Sequence, residues 1–219
     1  MDAPTPRYRT AIEATSLIVG PALMSVGDLL HPAERWDPAA QVTIVSTSAA
    51  HWHLAHLLLL IGFLLFVPGI LALTNLAANR RPALGYAARV LMVVSVGALS
   101  AVFACEMLLG HFISAGADQT AAIVLFTTFQ SGAVLGALLP GLLAFFIGVA
   151  LLVVALASKP GPLRWPVLTL ALGAAFILGE IILAEVLLSQ IGNVLCFVAG
   201  VGFALALLRG RALDEVQEI

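Results

Sequence analysis

Five histidines and a small set of carboxylates carry nearly all the chemistry this 219-residue chain can offer. Three imidazoles lie in the run His51-Trp52-His53-Leu54-Ala55-His56, while His31 follows Asp28 by three residues and His111 follows Glu106 by five. Residues three apart share a helix face, so Asp28 with His31, and His53 with His56, are pairs aimed in common directions. Imidazoles and carboxylates that converge from several helices are the donor set of a metal site inside a helical bundle. The ligand set expected here is His53, His56, Glu106 and His111, with Glu180 as a fifth member or a support for the ligands. Asp28, His31, His51 and Glu185 are secondary candidates. Such donors suit a divalent transition metal: zinc, iron, manganese or copper.

The bland reading of the same residues is interfacial. Histidines at helix ends hydrogen-bond to water and backbone, and Trp52 beside them reads as a headgroup-level anchor. For His31 and His51 that reading is preferred, while His53, His56 and His111 lie level with carboxylates that need a partner, a proton or a cation. Haem b is an alternative occupant, with His53 or His56 facing His111, although the surrounding carboxylates suit a bare ion better. The sequence has no Gly-x-Ser-x-Gly elbow, phosphate loop, Cys-x-x-Cys-His or His-Glu-x-x-His motif. Cys105 and Cys196 sit in apolar runs without metal-finger spacing and read as small hydrophobes.

These groups must be positioned by elements in lipid. With 61% hydrophobic residues, 10% charged residues and a mean hydropathy of +1.08, the chain has too little polar surface to cover a water-soluble globule. A net charge of −2 with scattered basic residues excludes a nucleic-acid footprint. The expected fold is an all-α, polytopic transmembrane bundle forming a single domain, with spans near residues 11–30, 51–77, 82–109, 121–157, 165–188 and 191–208 and a short tail over 211–219. Arg7 and Arg9 precede an apolar stretch that contains Glu13 and lacks a cleavage signature before Asp28, so it is taken as a retained span. The fourth run would measure roughly 55 Å as one straight helix, so a seventh short element fits before Pro140.

Nine of the ten basic residues fall on one side of these spans: Arg7, Arg9, Arg80, Arg81, Arg89, Lys159, Arg164, Arg209 and Arg211. Only Arg35 falls on the other, which assigns both termini to the cytoplasm and all five histidines to the outer side. The loop from Pro32 to Ala50 is expected to cap the pocket, with Pro32 and Pro38 limiting regular structure. Pro68-Gly69-Ile70-Leu71-Ala72 resembles Pro140-Gly141-Leu142-Leu143-Ala144, which would suit three repeated hairpins, although such runs also recur by chance.

The His51 to Ala72 segment, with Arg and Ala dominating over Lys, resembles small uncharacterised six-helix membrane proteins of high-GC bacteria. That resemblance implies a bacterial cytoplasmic membrane and no particular activity. Three function classes stay open: an outer-face metal protein, such as a membrane hydrolase or oxidase; a proton-coupled transporter of a small solute; and an accessory or structural subunit. In the last, Gly132, Gly136, Gly173 and Gly200 would pack helices, a second copy or a partner membrane subunit. Inner halves without polar side chains count against transport, and lipids are the one partner all three classes share.

Overall fold

The computed structural model describes residues 6–32, 37–129, 131, 134–158, 163–183 and 185–217. Among them every regular element is a helix: α1 (Pro6–Leu30), α2 (Pro38–Thr47), α3 (Ala49–Arg80), α4 (Pro82–Ser114), α5 (Gln119–Thr128), α6 (Val134–Ala157), α7 (Arg164–Leu183) and α8 (Val186–Gln217). Six of these, α1, α3, α4, α6, α7 and α8, contain apolar stretches long enough to cross a membrane. The protein is a multi-pass integral membrane protein.

Helix boundaries follow from local chemistry. Pro82 lacks the amide that would continue α3 and instead opens α4 at its first turn. Asp37 accepts a hydrogen bond from the Ala40 amide at 3.0 Å and Asp118 one from Ala121 at 3.0 Å, capping α2 and α5. The segment after Pro32 therefore contains a regular helix, where irregular chain was expected, because Pro38 stands at an N-terminal position that tolerates it. The short element expected before Pro140 is α5. The fifth long helix ends at Leu183 and the sixth begins at Val186 and stays helical to Gln217, through most of the expected tail. Glu34, Arg35, Trp36, Gln130, Gly132 and Lys159 lie outside the described residues.

The six long helices close into a ring in the order α1, α3, α4, α6, α7, α8, with α8 returning to α1. Leu17, Phe63, Met92, Leu99, Leu152, Val167 and Phe203 are among the side chains of its continuous core. Outward-facing Leu64, Val90, Leu143, Leu172 and Leu205 are exposed, as lipid contact requires. Lipid tails offer no hydrophobic drive for helix association, so close backbone approach carries the packing. At the α1–α3 seam a methyl on Gly20 would lie 2.8 Å from Phe66 Cβ, and one on Gly27 2.9 Å from the Ala55 carbonyl oxygen. Gly62 faces Gly20 and Gly69 faces Leu17 in the same way, so the two helices meet on glycines seven residues apart in each. Gly173 and Gly200 also stand at helix contacts, whereas Gly136 has open space beside it.

The histidines gather at one end of the ring and arginines at the other. There, Arg80 Nη1 donates to the Leu156 carbonyl at 2.5 Å, and Arg89 donates to Asn75 and Thr74 while lying over the Tyr86 ring. At the histidine end, α2 and α5 pack on each other and on α4. Val42, Val45, Ala122 and Phe126 from these short helices join Trp52, Leu109 and Ile113 in a second, smaller core.

Candidate functional site

Glycine contacts along α1 and α3 bring the last turn of α1 against the first turns of α3. His31 Nε2 thereby stands 3.3 Å from His56 Nε2, and His56 Nε2 stands 3.0 Å from Glu106 Oε2 on α4. His56 is fully buried and the Glu106 side chain is 20% exposed. Each imidazole is oriented from behind: His31 Nδ1 lies 2.8 Å from the Pro32 carbonyl oxygen and His56 Nδ1 2.7 Å from that of Trp52. A carbonyl only accepts, so each Nδ1 carries a proton and each ring turns its Nε2 toward the cluster. His56 Nε2 thus lies between His31 Nε2 and the Glu106 carboxylate, and contacts this short require a proton or a cation between the atoms.

Trp52 holds the cluster together. Its ring centre lies 4.3 Å from that of His56 and 5.2 Å from that of His31, and its indole Nε1 donates to the Glu106 carbonyl at 3.0 Å. The side chain is 1% exposed, which corrects its reading as an interfacial anchor: its N–H finds a backbone acceptor inside the protein, so the whole ring can be buried. Gly110 makes that possible, since a methyl there would lie 2.5 Å from Trp52 Cδ1 and 2.7 Å from Nε1. Sequence reasoning missed Gly110 altogether; its spacing of four from Glu106 on one helix face was the available signal. Phe103 closes the inner side, its ring 6.2 Å from that of His56.

The other expected ligands divide among different neighbours. His53 donates from Nδ1 to the Ala49 carbonyl at 2.6 Å, and its ring faces that of His111 at 6.3 Å with planes 84° apart. Although three residues apart, His53 and His56 have their recorded ring contacts with different partners. Asp28 turns toward α8, where Asn193 and Ser189 offer it hydrogen bonds, and its Oδ2 is buried without a hydrogen-bond partner among the described residues. Glu180 lies close enough to Asp28 for the two carboxylates to repel and is not part of the histidine cluster. His51 and Glu185 are exposed. His31, a secondary candidate from sequence, is therefore the group that joins His56 and Glu106.

Beyond its last helical turn, His31 feels its burial strongly. Removal from water, reinforced by the neighbouring His56, pushes its pKa down to about 4, against the opposing pull of Glu106 and the Pro32 carbonyl. Among the described residues, no group of three or more His, Cys, Asp or Glu side chains is placed so as to hold a metal ion. The three atoms form a chain through His56, with both contacts of hydrogen-bond length. No protein-family model, curated protein or solved structure matches the chain.

Proposed function

We propose that this is a protein of the bacterial cytoplasmic membrane that binds a divalent transition metal near the outer face, through His31, His56 and Glu106. The observation that carries the reading is the placing of two Nε2 atoms and a carboxylate in one short chain, with both imidazoles locked from behind by Nδ1–H bonds to carbonyls. That back-bonding fixes the tautomer a metal needs. Two donors each about 2.0–2.1 Å from an ion at tetrahedral angles stand about 3.3 Å apart, the same scale as the 3.3 Å and 3.0 Å separations seen. Movement of Glu106 toward His31 is needed to complete the set.

Two imidazoles and a carboxylate leave a coordination position for water, the pattern of a metal-dependent hydrolase or oxidase. Zinc, iron, manganese and copper all accept this donor set. The arginine end, with Arg80 and Arg89 held by backbone and side-chain acceptors, supports an inward orientation of both termini.

The test is metal analysis and an absorption spectrum of protein purified in mild detergent. One tightly held ion per purified chain, lost from both His56→Ala and Glu106→Ala, is expected. Stoichiometric metal retained by both variants sinks the reading, and a Soret band in place of a bare ion transfers it to haem b.

A further inference from the structure

A second pair of imidazoles lies beside the buried centre. His53 is half-buried on α3, one turn before His56, and His111 is exposed in the last turn of α4, beyond Glu106. Their ring centres are 6.3 Å apart with planes at 84°. Like His31 and His56, His53 spends its Nδ1 proton on a backbone carbonyl, that of Ala49 at 2.6 Å. Its Nε2 is buried and has no hydrogen-bond partner among the described residues. A buried polar nitrogen without a partner calls for an explanation, and a role as a metal ligand is one of them.

We infer that His53 and His111 form a second, two-imidazole site for a divalent transition metal ion, on the solvent side of the buried centre. An imidazole bound through Nε2 places its ring centre about 3.2 Å from the ion. Two such rings on one ion have centres about 5.2 Å apart at a tetrahedral angle and about 6.4 Å apart when trans. The observed 6.3 Å lies within that span, near the trans end. Two protein ligands and several waters make a weak, rapidly exchanging site, well suited to copper, nickel or zinc with imidazole donors. An ion arriving from solvent meets exposed His111 before it reaches His56, which is inaccessible. The pair is therefore a landing site one helical turn from the buried centre. That role rests on the metal reading of His31, His56 and Glu106; the existence of the pair as a site does not.

The experiment is Cu2+ titration of the full-length protein in mild detergent, followed by electron paramagnetic resonance, on wild type, His111→Gln, His53→Gln and His56→Ala. The wild type should take up two ions, a tighter and a weaker one. His111→Gln should weaken the second step by about 10–100-fold and leave the first in place, and this exposed substitution leaves folding intact. His53→Gln should act on the same step, and His56→Ala should remove the tighter ion and keep the weaker. Two ions with unchanged affinities in His111→Gln would overturn the pair while leaving the buried centre standing. A single ion, lost in His111→Gln and kept in His56→Ala, would support the pair and overturn the buried centre. No copper bound by wild type would overturn both.

Discussion

The Nε2 atoms of His31 and His56 stand 3.3 Å apart although 25 residues separate them in the chain. One closes the first long helix and the other lies near the start of the second, with α2 inserted between. Their meeting depends on the glycine seam at which α1 and α3 approach each other, and each ring is oriented by a backbone carbonyl on its own side. The centre is thus a consequence of helix packing, and disturbing the packing should disturb the chemistry.

As ligands of the proposed ion, His56 and Glu106 should behave as one unit. His56→Ala leaves Glu106 facing apolar surroundings and should cost about 3–5 kcal/mol. The His56→Ala/Glu106→Ala double variant should cost little more than either single change. Thermal unfolding in one detergent, with and without chelator, measures this. Fully additive losses would show that the two residues are independent.

Gly27→Val changes no ligand and should still abolish metal retention. Its side chain would run into the Ala55 carbonyl, where even a methyl is 2.9 Å away, and push α1 from α3 beside His56. Metal content normalised to folded protein is the readout; wild-type retention would disconnect the seam from the site.

Trp52→Ala should lose about 3–5 kcal/mol, through the cavity it leaves and the Glu106 carbonyl it deserts. Gly110→Ala should act in the same direction by expelling the indole, with a red shift of the Trp52 emission read in a Trp36→Phe/Trp165→Phe background. An unshifted spectrum in Gly110→Ala would mean that the indole keeps its slot.

Stability of the metal-free protein should fall on acidification through a defined window. The unfolded chain takes up a proton on His31 near pH 6.5, whereas the folded protein resists until about 4. Between those values the unfolded state binds more protons, so this contribution is full above pH 6.5, declines as pH falls and is constant below about 4. His31→Gln should flatten that part of the profile, and an unchanged slope would assign the loss to other groups.

With Cys105 and Cys196 replaced, single cysteines at Thr47 and Asp118 should react with an impermeant maleimide from outside intact cells, and one at Asn79 should not. All three positions are exposed in the fold. Labelling of Asn79 from outside would invert the orientation and put the histidine end at the inner face.

Sequence alone determined the solvent, the number of long helices and the end at which ionisable groups collect, because burial of backbone in lipid demands long apolar helices and leaves charge only at their ends. It also marked His56 and Glu106, since an acid and an imidazole at equal depth on antiparallel neighbours need each other. It was silent on partner choice. His53 and His56 share a face by spacing, yet α4 offers Glu106 to one and His111 to the other. Glu180 had the right depth for the histidine cluster but lies on α7, across the ring, where its neighbour is Asp28. His31 and Trp52 looked like interfacial residues because each stands near a helix end, where depth along the helix reveals nothing about which way a ring faces. Only the closing of α1 onto α3 at glycines, and the slot that Gly110 leaves for the indole, decided that both rings turn inward, since those close approaches involve helices whose adjacency no local pattern records.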